Sequence, residues 1–168
     1  ERLGFELMYV SDLPHSAHSL TILALVQIAE GDNDAALRSL QTIDAKEIKP
    51  KRTFELLAAQ QVRKKRFGDA GRTLDAGERQ FGDAEPFLPS RIIVAGAADD
   101  LDRARAYHEQ CRPLESEQIK IACDQAIAPL GIEGIEPVVS PGVFEQLTGA
   151  GDKAQEWFRE LWSNAPKS

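Results

Sequence analysis

The sequence predicts an all-α chain of antiparallel helix pairs packed one after another, and three observations predict it. Ala36, Ala70 and Ala104 recur at intervals of 34 residues. Larger side chains recur in the same register: Leu20, Phe54 and Leu88, with Ala122 in the fourth slot; Leu23 and Leu57; Ala24, Ala58, Ile92 and Ala126; Leu40 and Leu74, with His108 in the third slot. Asn33, Phe67 and Leu101 then open the second helix of each period. Two helices of about 12 to 14 residues with two short turns use about 34 residues, and each such helix is roughly 20 Å long. Small residues fit where two helices cross closely. The larger ones, at i, i+3, i+4 and i+8, form the stripe that faces neighbouring helices. A single pair cannot bury both of its faces, so pairs must stack.

The elements follow in order. Residues 3–10, Leu-Gly-Phe-Glu-Leu-Met-Tyr-Val, read as a mostly apolar helix, and residues 1–14 as the end of a preceding helix or repeat closed by Pro14. Helix pairs are expected near 16–30 and 33–44, 52–65 and 67–80, and 87–98 and 100–111. Ser116 caps a seventh helix over 117–128, which Pro129 ends. Residues 15–130 therefore hold three repeats and an additional helix. Residues 130–140 change character: Gly131, Gly134 and Pro137 disfavour helix, while Ile132, Ile135, Val138 and Val139 are apolar. This stretch is expected to be extended, and to brace the C-terminal helices rather than occlude a groove. Ser140-Pro141 starts a short helix near 141–148. After Gly149-Ala150-Gly151, Asp152 opens a last helix with the stripe Trp157, Phe158, Leu161 and Trp162. Residues 131–168 are thus an extended segment followed by capping helices, which hide one face of the stack.

The first-helix pattern Leu20-x-x-Leu23-Ala24 returns as Phe54-x-x-Leu57-Ala58, and the second-helix pattern Ala36-x-x-x-Leu40 as Ala70-x-x-x-Leu74. With the turn Glu30-Gly31-Asp32-Asn33, they resemble the tetratricopeptide repeat family over residues 17–130. The sequence departs from that pattern at Arg91, where a large apolar residue is expected, and at His108, in place of an aromatic or leucine. The resemblance implies a right-handed superhelix, or α-solenoid, whose concave wall is built from first helices and holds a peptide or helix of a partner. The wall positions it implies are His18, Thr21, Leu25, Ile28 and Ala29; Arg52, Glu55, Ala59, Val62 and Arg63; Pro89, Ile93 and Ala97; and Cys123. The expected function is that of a protein–protein interaction scaffold or adaptor, or a segment of a larger bacterial multi-repeat protein. The alternatives are a tetratricopeptide-type secretion chaperone and a regulatory domain whose catalytic part lies elsewhere.

Composition narrows the partners. The chain has 168 residues, 42% hydrophobic and 28% charged, which suits a globular domain rather than a disordered one. A net charge of -7 argues against nucleic acid as the partner, and no apolar run is long enough for membrane insertion. One segment opposes the overall sign: residues 46–66 carry eight basic side chains against Glu47 and Glu55. They form two patches, one around Lys49, Lys51 and Arg52 and one at Arg63, Lys64, Lys65 and Arg66. If these patches work, the partner is acidic.

No catalytic constellation stands out, so no enzyme and no cofactor are expected. His108, Cys111 and Cys123 have metal-ligand chemistry, but the spacing lacks a fourth member and matches no compact zinc signature, so no metal is expected. The two cysteines read as small buried hydrophobes outside any disulfide framework. That makes a reducing compartment the default and the cytoplasm the favoured location, with the periplasm the alternative if the chain belongs to a larger envelope protein.

Overall fold

The computed structural model describes residues 16–139 and Gly142. Among them are seven α-helices: α1 (Ala17–Ala29), α2 (Asn33–Gln41), α3 (Lys51–Arg63), α4 (Phe67–Phe81), α5 (Leu88–Ala97), α6 (Leu101–Cys111) and α7 (Glu117–Ile127). Short 3-10 turns at Glu85–Phe87 and Ala128–Leu130 lead into α5 and follow α7, and the described residues contain no strand. The chain divides into two compact units at Gln80 and Phe81, inside the stretch that the sequence reads as one run of repeats. The expected helices near 3–10 and after Asp152 lie outside the described residues, as does the one near 141–148 except for Gly142.

Helix starts are set by short polar side chains. Ser16 accepts from the Ser19 amide at 3.2 Å, Asp32 from Ala35 at 3.0 Å, Asp100 from Arg103 at 3.2 Å and Ser116 from Ile119 at 3.3 Å. Each satisfies an amide that has no partner within its helix.

The turn inside each pair repeats with the 34-residue period. Gly31, Lys65 and Asp99 all take positive φ, at 81°, 58° and 60°. One residue later, the amides of Asp32, Arg66 and Asp100 donate to the carbonyls of Gln27, Gln61 and Ala95, at 2.8, 2.8 and 2.9 Å. This is the left-handed helix stop that glycine usually occupies. Only the first copy uses glycine, so the other two accept a left-handed cost of roughly 1–2 kcal/mol each to make the same turn. A side-chain bond repeats in the first two pairs as well. Ser39 donates to Gln27 Oε1 at 2.8 Å, and Thr73 to Gln61 Oε1 at 2.7 Å. The same slots of the third pair hold Ala95 and Tyr107, which cannot reproduce it.

In the first unit α1 packs on α2, and α3 on both. Ala17, Leu20, Ala24, Ala36, Leu40, Ile43 and Leu56 share one core. Thr21 Oγ1 donates to the Ala17 carbonyl at 2.6 Å and meets Thr53 Oγ1 at 2.6 Å, so a buried polar contact sits where α1 faces α3. The loop before α3 is fastened at two points near its end. Glu47 accepts from the Ala17 amide at 2.6 Å, and the Gln80 carboxamide both accepts from Lys49 N–H and donates to its carbonyl, at 2.9 and 2.6 Å.

Ala36, Ala58 and Ala70 are buried, as their slots require. Ala70→Leu is expected to overpack its crossing and cost about 1–3 kcal/mol. A thermal melt of the variant matching the parent would count against that packing.

In the second unit α5 packs on α6 and α7, and α6 on α7. Leu88, Ile92, Ala95, Ala104, Cys111, Leu114, Cys123, Ile127 and Val138 form its core. Leu130 lies so close over Gly96 that a Cβ there would overlap its side chain.

The structure corrects the reading of the cysteines. Cys111, the last residue of α6, and Cys123, in α7, are joined in a disulfide with Cα atoms 6.6 Å apart. The turn over 112–116 returns the chain antiparallel, and the crossing of α6 with α7 decides that the two thiols meet. The expectation of a reducing compartment rested on unpaired cysteines and loses that basis.

Candidate functional site

The 34-residue register lets the first helices be compared slot by slot. His18 and Arg52 are exposed. Leu25, Ala59 and Ile93 are half-buried, exposed and exposed; Ala29, Arg63 and Ala97 are all exposed. These three columns form the open side of their helices. Two further columns point inward or sideways. Thr21 is buried against α3, Glu55 and Pro89 are half-buried, and Cys123 is fully buried in the disulfide. Ile28 and Val62 are half-buried, and Ile28, like Leu25, leans on the first core. Thr21 and Cys123 are therefore removed from the expected wall: their place in the register is right, but a neighbouring helix covers it.

In the first unit α1, which carries His18, Leu25 and Ala29, packs against α3, which carries Arg52, Ala59 and Arg63. Arg52 and Arg63 are eleven residues apart, about three turns, so they share one face at a separation of roughly 16 Å along the axis. Ile93 and Ala97 belong to the second unit.

The basic patches separate into engaged and free cations. Lys49 folds back, its ammonium donating to the Ala45 and Glu47 carbonyls at 3.3 and 3.1 Å. Lys51 pairs with Glu55 at 3.8 Å. Lys64 pairs with Asp34, and its hydrogen bond and charge hold the Asp34 carboxyl below the usual carboxylate range. Among the described residues, the side chains of Arg52, Arg63, Lys65 and Arg66 have no hydrogen bond or ion pair. An open polar pocket of about 270 Å³ lies beside Arg63, lined by Asp32, Asn33, Asp34, Gln60 and Lys64 among others.

The polar centre that sequence reasoning missed is in the second unit. His108 and Asp124 are both fully buried, with His108 Nε2 2.7 Å from Asp124 Oδ1. The same carboxyl accepts from the Val138 amide at 3.0 and 3.2 Å and from the Val139 amide at 3.2 Å. His108 Nδ1 has no partner among the described residues. Arg105 donates to the Glu133 carbonyl at 3.0 Å, and Arg112 to that of Pro137 at 3.4 Å. The segment 131–139 is thus bolted to α6 and α7, with Val138 and Val139 buried, so it braces the second unit. Asp124 had a signal in the sequence: it sits on a helix among Ile121, Ala122, Cys123, Ala126 and Ile127, where an acid calls for a buried partner. The His–Asp pair is enclosed, and the two cysteine sulfurs of the same helices are bonded to each other. Among the described residues no cluster of three or more His, Cys, Asp or Glu could hold a metal ion.

Fold and surface together define an all-α protein of consecutively packed helix pairs, compatible with a helical repeat. Comparison with family models, curated proteins and solved structures finds no match to the chain.

Proposed function

We propose that the chain is a tetratricopeptide-type solenoid module that binds an acidic segment of a partner protein across α1 and α3. The observation that carries this reading is the exposed row Arg52, Ala59 and Arg63: two guanidiniums, unpaired among the described residues, flank a small residue on one face of α3, the helix against which α1 with its Leu25 and Ala29 packs. A small central side chain lets a partner backbone come close. The guanidiniums suit carboxylates, which they can bind through two parallel hydrogen bonds, and half-buried Leu25 offers an apolar anchor. A helix-in-groove or extended mode both fit such a row. The Cys111–Cys123 disulfide supports an oxidising compartment, and with it the reading of the chain as part of a larger bacterial envelope protein.

The test uses fluorescence anisotropy with Asp/Glu-rich peptides that carry one leucine or phenylalanine, against scrambled basic controls. Arg52→Glu with Arg63→Glu is expected to weaken acidic-peptide binding by about tenfold or more, chiefly by slowing association. Added salt should weaken the parent's binding, as it screens exposed charges. Equal binding by parent and reversed variant would mean that these arginines are solvated surface only.

A further inference from the structure

We propose that the pocket between the start of α2 and the end of α3 is a carboxylate site, which seats one aspartate or glutamate side chain of the acidic segment. The partner rests on the function proposed above; the pocket rests chiefly on Gln60. That residue is only 5% exposed, yet among the described residues its carboxamide has no hydrogen bond. It lines the pocket of about 270 Å³ together with Asn33, Asp34, Arg63 and Lys64. A buried polar side chain without a partner is costly, and this one stands where the other two first helices carry Val26 and Val94. Arg63 likewise stands where they carry Ala29 and Ala97. The second repeat has polar groups at both positions, three residues apart and so neighbours on the surface of α3.

The groups left free in the lining are donors. Helix α2 begins at Asn33, so the Asn33 and Asp34 amides belong to its first turn and have no partner within the helix. That end of a helix favours negative charge. Gln60 and Asn33 each offer an amide NH2, and Arg63 a guanidinium without an ion pair among the described residues. The two acids of the lining are already engaged. Asp32 accepts from the Ala35 amide at 3.0 Å, and Asp34 is paired with Lys64. An incoming carboxylate therefore finds unengaged donors on both helices, whereas an ammonium would meet Arg63 and Lys64. A water occupies about 30 Å³ of liquid, so the pocket has room for one carboxylate side chain with a few waters.

The test titrates the full, 15N-labelled chain with blocked glutamate (N-acetyl, N-methylamide) and with the equally blocked glutamine. Glutamate is expected to shift the Asn33 and Asp34 amides and the Gln60 side-chain NH2 along one saturable curve, with a midpoint in the millimolar range. Glutamine should leave them in place. Gln60→Val installs the residue that the other two repeats carry and should abolish the saturable shift. Asn33→Pro suits the first position of a helix, removes an amide donor, and should weaken the shift should Gln60→Val fail to fold. In the anisotropy assay Gln60→Val should weaken acidic-peptide binding by about tenfold. Equal shifts with glutamate and glutamine overturn the proposal, as do shifts that never saturate or that survive in Gln60→Val. Should glutamate fail to bind while acidic peptides bind parent and Gln60→Val alike and lose affinity on reversal of Arg52 and Arg63, the pocket falls and the proposed function stands. Saturable glutamate binding without any peptide binding leaves the pocket and removes the proposed function.

Discussion

Asp124→Ala is expected to destabilise the second unit by about 3–5 kcal/mol, a large share of the 5–15 kcal/mol typical of a folded domain. The Asp124 carboxyl satisfies His108 Nε2 and the amides of Val138 and Val139, all in a buried site. Removing it strands three polar groups where water does not reach them, and each buried unsatisfied group costs about 1–3 kcal/mol. Asp124→Asn keeps one acceptor oxygen and should lose less. The measurement is urea unfolding together with hydrogen exchange: the Val138 and Val139 amides should lose protection in the alanine variant. A loss below about 1 kcal/mol would show that the network contributes little beyond packing.

The second large effect concerns the disulfide. The denatured, unreduced protein should yield no alkylatable thiol, since Cys111 and Cys123 are the only cysteines and are bonded to each other. Cys111→Ala with Cys123→Ala is expected to cost about 3 kcal/mol, the entropy a loop of this length recovers in the unfolded chain. Reduction should shift the urea midpoint of the parent towards that of the double variant and leave the variant unchanged. Two free thiols in the unreduced protein would restore the reading of the cysteines as buried hydrophobes. Cys123 adjoins Asp124, so the two perturbations should not add, and a combined variant would measure their coupling.

Much of the first unit was legible in the sequence because its pattern is local. A stripe at i, i+3 and i+4 marks a helix face wherever it occurs, and a period of 34 residues sets the length of a helix pair. Ala36, Ala58 and Ala70 were therefore placed correctly as buried crossings. The turns were legible only in part: Gly31 announces itself, whereas Lys65 and Asp99 adopt the same left-handed geometry with no glycine to mark it.

The candidate surface was harder to read, since exposure depends on what packs alongside. The register assigned Thr21 and Cys123 to the open wall, and each is covered by a neighbouring helix. Conversely, Ile22 and Val26 occupy slots that are buried one repeat later and stand open here.

By itself the sequence determined the all-α class, the helix pairs, the polar cap at Ser116 and the non-helical character of 131–139. These depend on residues within a turn or two of each other, where backbone preference and side-chain spacing act directly. Only the tertiary structure decided that Cys111 meets Cys123, that His108 finds Asp124, and that Asp124 in turn holds Val138 and Val139. Each of these contacts joins residues 12 or more positions apart on different elements. Their meeting depends on how α6 and α7 cross and how the chain returns after Leu130, and helical periodicity does not encode that geometry.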